Sequence, residues 1–206
     1  MSPHLGREEH WEDVYRRKSD SEVSWHQPRA SLSLELIVRH GPGAGASVID
    51  IGGGTSSLAA NLLDVGYADV TVLDISEAAI ARAKGRVGAG PGAHFIVADA
   101  SAWTPLRSWD VWHDRAAFHF LTTDAQQAGY IAALERGTRE GSIAIFATFA
   151  LDGPERCSGL PVQRYSPETL ADRLWDGFTL IDHVAEDHLT PAGATQRFSW
   201  AAFRRR

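Results

Sequence analysis

Ser47-Val48-Ile49-Asp50-Ile51-Gly52-Gly53-Gly54-Thr55-Ser56-Ser57-Leu58 is the stretch from which the fold can be read. Val48, Ile49 and Ile51 make a short β-branched run, the signature of a buried strand. Three glycines end it, where positive φ is cheap and no Cβ stands between a ligand and the backbone. Ser56 or Ser57 can cap a helix that begins at Leu58. Strand, bare loop and helix N-terminus together make a nucleotide-sized cradle, at the place where open α/β sheets bind ligands.

Two nucleotide readings compete for this cradle. A dinucleotide fold requires G-x-G-x-x-G, and counting from Gly52 the third glycine falls on Ser57. Asp50, two residues before the first glycine, suits instead a ligand that carries an amine and a sulfonium. The next strand, Val70-Thr71-Val72-Leu73, ends in Asp74, whose carboxylate can accept both hydroxyls of a ribose. That demand is shared by NAD and S-adenosylmethionine. The third strand, His94-Phe95-Ile96-Val97-Ala98, ends in Asp99-Ala100 and can present a carboxylate to an adenine amino group.

With these three strand ends in order, the chain resembles the class I, seven-strand S-adenosylmethionine-dependent methyltransferases. Val48 to Thr55 is similar to their first motif, Leu73-Asp74-Ile75-Ser76 to their second and Ala98-Asp99-Ala100 to their third. The resemblance implies an α/β, Rossmann-like seven-stranded sheet of order 3-2-1-4-5-7-6, strand 7 antiparallel, with helices on both faces. It also implies S-adenosylmethionine as cofactor, held by Asp50, Gly52, Gly53, Gly54, Ser56, Asp74, Ile75, Asp99, Ala100 and Asp114.

The first forty residues stand outside this core. His10 to Lys18 reads as an amphipathic helix with Trp11, Val14 and Tyr15 at i, i+3, i+4. A polar and aromatic loop, Glu22 to Gln27, follows it. Pro28 is expected to open a second helix with Leu32, Leu34, Leu36, Ile37 and Val38 on its apolar face. The pattern Trp-Glu-x-Val-Tyr, Val-Ser-Trp-His-Gln and Ser-Leu-x-Leu resembles small bacterial methyltransferases of unassigned substrate. More distantly, it is similar to the eukaryotic methyltransferase-like group that includes elongation-factor lysine methyltransferases. Such a segment implies a lid, residues 1–40, over a core of residues 47–206 in one domain of 1–206. Trp11, Tyr15 and Trp25 are either core anchors or an aromatic wall around a cation. A sulfonium against such a ring is worth ~0.5–2 kcal/mol.

Downstream, the pattern predicts helix 57–65, strand 69–73, helix 76–86 and strand 93–98, a parallel β-α-β-α-β rhythm. Strand four is expected over 109–113, with His113, Asp114 and Arg115 at its carboxyl end. Asp114-Arg115 matches the Asp and basic residue of the resembled family, whereas the eukaryotic lysine methyltransferases carry a lysine and a glycine after the aspartate. The alternative reading of the pair is an ion pair closing the strand. His119 is expected one turn into the following helix, as a general base or as a structural histidine; His113 and Arg115 are the other catalytic candidates. Helix 124–137 and strand 143–149 follow. The turn-rich loop from Asp152 to Pro167 is expected to close over substrate, with Arg164 and Tyr165 as substrate-binding residues. Helix 167–175, strand 178–186 and strand 195–203 finish the chain, the last two antiparallel.

Composition narrows the function classes. The chain has 206 residues, 44% hydrophobic and 22% charged, with formal net charge −6. Arg204-Arg205-Arg206 is a short basic run at the end of a chain of net negative charge, so no nucleic-acid partner is expected. One cysteine, Cys157, excludes an intramolecular disulfide and fits a reducing cytoplasm. No apolar run reaches the ~20 residues of a membrane span, and the start carries no signal-peptide pattern. Glu186, Asp187 and His188 form one short cluster without a fourth ligand, so no metal is expected. The expectation is a cytoplasmic, metal-independent methyltransferase, monomer or homodimer, acting on a small molecule by in-line displacement. The alternatives are a protein-lysine methyltransferase, a non-catalytic S-adenosylmethionine-binding protein and an NAD oxidoreductase.

Overall fold

The computed structural model describes residues 3–88 and 90–206. Six helices, α1 (Pro3–Arg17), α2 (Ser31–His40), α3 (Leu58–Asp64), α4 (Glu77–Val87), α5 (Asp124–Arg136) and α6 (Pro167–Leu174), pack with nine strands. The strands are β1 (Ser47–Ile51), β2 (Asp69–Asp74), β3 (Ala93–Val97), β4 (Val111–Arg115), β5 (Ile143–Phe149), β6 (Arg156–Cys157), β7 (Leu160–Pro161), β8 (Phe178–Leu189) and β9 (Thr195–Arg205). Seven of them form one sheet of order β3-β2-β1-β4-β5-β9-β8. With the two-residue hairpin β6–β7 set aside, this is the expected 3-2-1-4-5-7-6. β9 runs antiparallel between β5 and β8, and the pairs from β3 to β5 are parallel.

Strand chemistry explains the order. All seven residues of β5 are buried, as a near-continuous apolar run requires when both faces of a parallel sheet are covered. Alternate residues of β1 feed opposite layers. Val48 joins Leu36 and Ile37 of α2 and Leu58 and Leu62 of α3. Ile49 and Ile51 join Tyr130 and Leu134 of α5 and Leu170 and Leu174 of α6. β8, at the free edge, alternates exposed and half-buried positions along most of its length and breaks register between Leu180 and Asp182. A bulge and outward charge are usual defences of an edge strand.

Local signals set the helix starts. The Ser76 hydroxyl accepts from Ala79 N–H at 3.1 Å to start α4, and Thr123 with Gln126 makes a capping box for α5. Ser166 caps α6, with Pro167 in its first turn. At α3 the Ser56 hydroxyl takes the Leu58 N–H at 3.1 Å, and Ser57 caps nothing with its side chain.

Several boundaries differ from expectation. Pro28 lies in the bend before α2, which starts at Ser31. The apolar face of α2 is buried against the sheet, so the cover over the cavity described below is α1 and the following loop alone. β4 begins at Val111, two residues later than predicted, because Trp109 and Asp110 turn their N–H groups to Gly137 and Ser47 carbonyls. His119 sits in a single 3₁₀ turn, Phe118–Phe120, ahead of α5. The 152–167 loop contains the β6–β7 hairpin and is tied down by Val162 N–H to Glu155 O (3.1 Å) and Gln163 N–H to His119 O (2.7 Å).

The N-terminal segment is fastened at several places along its length. Glu12 of α1 accepts from the Ser76 hydroxyl at 2.7 Å and from Ala78 N–H at 3.1 Å, so α1 supplies a carboxylate to the N-terminus of α4. Those bonds, the Ser76 one foremost, hold the Glu12 carboxyl below its ordinary pKa. The loop after α1 is held by the C-terminal hairpin: Gln27 donates to Glu186 at 3.1 Å, and His188 Nε2 lies 2.8 Å from the Ser24 carbonyl. Among the described residues no helix is long and apolar enough to cross a membrane.

Candidate active site

β1 delivers the chain into the triple-glycine bend above its carboxyl end. Gly52 (φ +64) and Gly54 (φ +50) both take left-handed backbone, which a β-carbon penalises. Space forbids a side chain as well. A Cβ on Gly52 would lie 2.6 Å from the Ala117 methyl, and one on Gly54 would strike the Tyr15 hydroxyl. Gly53 N–H bonds the Leu73 carbonyl at 3.1 Å, which fixes the bend against the end of β2.

Beside the bend lies a cleft with about 840 Å³ of space not filled by atoms, the open solvent at its mouth included. Of the expected cofactor residues, Trp11, Trp25, Gly52, Asp74, Ile75, Asp99 and Ala100 line it. Asp50, Gly53 and Ser56 line a smaller adjoining cavity together with His113, and Trp25, Gly52 and Arg115 border both. Gly54 lines neither; its N–H supports the Asp74 carboxylate.

Asp74 is buried at the end of β2, with Oδ1 accepting from Ser76 N–H at 2.9 Å. Burial raises its pKa to about 7, against the opposing pull of the Ser76 and Gly54 N–H groups. Asp99 is oriented by the Ser101 hydroxyl (2.7 Å) and N–H (2.9 Å) on Oδ1 and by Arg7 of α1 (2.7 Å) on Oδ2.

The aromatic residues of the N-terminal segment gather over the cleft. Ring centroids of Trp11 and Trp25 are 5.7 Å apart, Trp11 and Phe120 4.9 Å, and Tyr15 and Trp25 6.2 Å, mostly edge to face. The four rings make a partial box. Tyr15 is itself buried, and burial raises its phenol pKa well above the ordinary value.

In the smaller cavity His113 Nδ1 lies 2.7 Å from Asp50 Oδ1, both side chains almost fully buried. His113 Nε2 is buried with no partner. Asp50 therefore orients an imidazole, a role absent from the sequence reading. Ala116 (φ +67) follows β4 in strained left-handed backbone and lines the large cleft.

Four expected site residues lie elsewhere. Asp114 is fully buried and spends its carboxylate on the Tyr130 hydroxyl (2.6 Å) and the N–H groups of Ala117 (2.9 Å) and Phe118 (3.0 Å). Burial raises its pKa to about 6. It pairs with neither cofactor space nor Arg115. His119 is fully buried, packed against Phe120 and Phe149, with Nδ1 accepting from Phe149 N–H at 3.3 Å. Burial, with the nearby Arg115 charge, lowers its pKa to about 3, so it lacks both the access and the basicity of a general base. Arg164 bonds Gly153 O (3.1 Å) and Glu155 (3.2 Å) and lines neither cavity. Tyr165 packs on Phe118 and takes the Gln127 amide at 3.0 Å.

Conversely, Arg7, Phe120, Tyr130, Cys157, Gln196 and Phe198 line the large cleft without having been singled out. Gln196 and Phe198 stand two apart on β9 and so share a face, but nothing in their local sequence marks that face as a cavity wall. Burial raises the Cys157 thiol to about 11, leaving it protonated near neutral pH.

The groups present fit S-adenosylmethionine. A glycine bend with no room for a Cβ, and two strand-end carboxylates, Asp74 and Asp99, lining one cleft, are what an adenosine requires, with Asp50 in the adjoining cavity for its amino-acid tail. Comparison with known proteins agrees. Residues 48–141 match the family described as Methyltransferase domain. A structure described as the conversion of a disulfide bond into a thioacetal group during echinomycin biosynthesis is 25% identical, with TM-score 0.77 over 97% of this chain and 93% of that one. The N-methyltransferase NodS of Bradyrhizobium japonicum, solved with S-adenosylhomocysteine, is 16% identical, with TM-score 0.73 over 94% and 97%. The mouse (Mus musculus) eEF1A lysine and N-terminal methyltransferase is 28% identical over 128 residues, 61% of this chain; the chain spans only 18% of the mouse protein's length.

Fold, strand-end carboxylates and these likenesses define a nucleoside-binding α/β protein of the methyltransferase type. Residues 48–141 match a methyltransferase domain, and the fold is that of the class I, S-adenosylmethionine-dependent methyltransferases.

Proposed function

We propose that the chain transfers a methyl group from S-adenosylmethionine to a small-molecule acceptor. The observation that carries this reading is the single cleft walled on one side by Asp74, Ile75, Asp99 and Ala100 and roofed by Trp11, Tyr15 and Trp25. Asp74 would hold the ribose hydroxyls and Asp99 the adenine amino group, with the bare Gly52–Gly53 backbone and Asp50 beside the amino-acid tail. When bound, the cofactor supplies a methyl on a sulfonium, displaced in line by an acceptor lone pair as the carbon–sulfur bond breaks. Trp11, Trp25 and Phe120 exclude water and offer ring faces to that cation. Holding the reactants collinear supplies up to ~7–11 kcal/mol. A general base would add about 10²–10⁴-fold where the nucleophile carries a proton.

The roof favours a small acceptor, because α1 and the following loop are fastened at both ends over the cleft. Methylation of a protein lysine or N-terminus is the second reading, supported by the name of the mouse relative. Incubation with isotopically labelled donor, first with a metabolite extract and then with lysate proteins, separates the two. Label in a small molecule, lost in Asp74→Ala, is expected. Label confined to protein amines would replace this reading with the second, and no label in either would leave a cofactor-binding protein without transfer.

A further inference from the structure

Resting on the methyl-transfer reading, we infer that the acceptor is a small carboxylate, docked side-on against Arg115. The guanidinium is built into the fold. Nη1 donates to the Trp25 carbonyl at 3.1 Å, and the group lies over the Phe198 ring, 4.9 Å from its centroid. Its remaining edge is unused: Nε and Nη2, which stand side by side, are shut off from solvent with no hydrogen-bond partner. That edge is the fork that grips a carboxylate through two parallel N–H···O bonds.

The carboxylates whose charge acts on Arg115 are already engaged. Asp50 faces His113, and Glu186 accepts from Gln27 and from the Trp200 indole at 2.8 Å. Among the described residues Arg115 has no ion-pair partner, and a buried, uncompensated cation is costly to keep. An incoming anion would relieve it.

Arg115 ends β4, and its guanidinium lies over Phe198 of β9, which stands beyond β5 from the strands that lead to Asp74 and Asp99. The same wall carries Gln196, whose Oε1 is a third buried polar atom without a partner, and Cys157. The space between Trp25 and Phe198 thus presents a two-point anion fork, one further polar group and apolar faces.

The test uses the full chain saturated with S-adenosylhomocysteine and two probes, benzoate and indole-3-acetate, each beside its neutral primary amide. Calorimetric or NMR titration is expected to show at least one acid binding, its amide at least tenfold weaker. Arg115→Gln should lose that preference, and Arg115→Lys should recover part of it, while S-adenosylhomocysteine affinity stays within threefold in both. Neither acid binding, equal affinity for acid and amide, or a preference unchanged in Arg115→Gln would overturn the inference and leave the cofactor reading standing. So would a tenfold loss of S-adenosylhomocysteine affinity in Arg115→Gln with 5′-methylthioadenosine affinity intact, since the fork would then serve the cofactor's tail. Failure of the wild-type chain to bind S-adenosylhomocysteine would overturn both readings together.

Discussion

The Tyr130 hydroxyl sits between two buried groups, donating to Asp114 Oδ2 at 2.6 Å and accepting the Trp112 indole N–H at 2.9 Å. This relay ties α5 to the end of β4 and holds the turn that carries Arg115 and Ala116 to the cleft. Tyr130→Phe strips a donor from a buried carboxylate and an acceptor from a buried indole, so a loss of about 1–3 kcal/mol is expected. Part of that loss should disappear near pH 5, where Asp114, with a pKa of about 6, binds a proton. Urea unfolding of both proteins at pH 8 and pH 5 measures it; an equal penalty at the two pH values would contradict the assignment.

Asp74 predicts a pH dependence of cofactor binding. Its carboxyl titrates at about 7 in the ligand-free protein, above the unfolded value of about 3.9. Ribose hydroxyls need the ionised form, so affinity should fall as pH drops through 7, by about tenfold between pH 8 and 6. Stability runs the other way. The folded state holds the extra proton, so the group favours folding most below pH 4 and loses that contribution as pH rises from 4 to 7. Asp74→Asn should therefore weaken S-adenosylhomocysteine binding strongly at pH 8 and flatten its pH profile, yet raise the melting temperature of the ligand-free chain. Calorimetry and thermal melts across this range check both.

His119→Asn is expected to damage stability and spare chemistry. A neutral imidazole packed between Phe120 and Phe149 is replaced by a smaller polar group, at a cost of about 1–3 kcal/mol. The depressed pKa also has a sign: His119 opposes folding below about 3, and its contribution recovers as pH rises toward the unfolded value near 6.5. Turnover per folded molecule should stay within threefold and keep the shape of its pH profile. A pH–rate limb that vanishes in the variant would restore His119 to the chemistry.

Gly54→Ala should cost at least tenfold in S-adenosylhomocysteine affinity, because the new methyl meets left-handed backbone and the Tyr15 hydroxyl together. Tyr15→Phe removes only the second obstacle. The double variant should regain part of the loss, giving a coupling energy in a double-mutant cycle. Strictly additive effects would mean that the roof does not press on the bend.

Ala116 predicts a substitution that defies the usual direction. Its left-handed backbone costs about 1–2 kcal/mol in an L-residue, and glycine relieves that while losing about 0.4–1 kcal/mol through the unfolded chain. Ala116→Gly should be neutral to slightly stabilising, and Ala116→Val clearly destabilising, in parallel thermal melts.

The sheet was legible because its information is local. Each of Asp50, Asp74 and Asp99 stands at or beside the end of a short β-branched or apolar run that a turn follows, and the final antiparallel pair carries its own alternation. The site was legible only where it borrows those strand ends. Asp114 looked identical in sequence to the other acidic strand ends, yet Tyr130, sixteen residues later, claims its carboxylate. Arg164 and Tyr165 stand outside both cavities, on a stretch that the Val162 N–H to Glu155 O and Tyr165 N–H to Phe149 O bonds hold against its neighbours, pairings that no local pattern announces. Gln196 and Phe198 reach the cleft through a strand inserted from the far end of the chain, a juxtaposition no nearby residue announces.

The carboxylate that Glu12 lends to Ser76 makes roof and floor a single mechanical unit. Ser76 N–H in turn steadies Asp74, so one serine joins the helix above the cleft to the carboxylate in its floor, and a change at Glu12 would be felt at the ribose site without touching it.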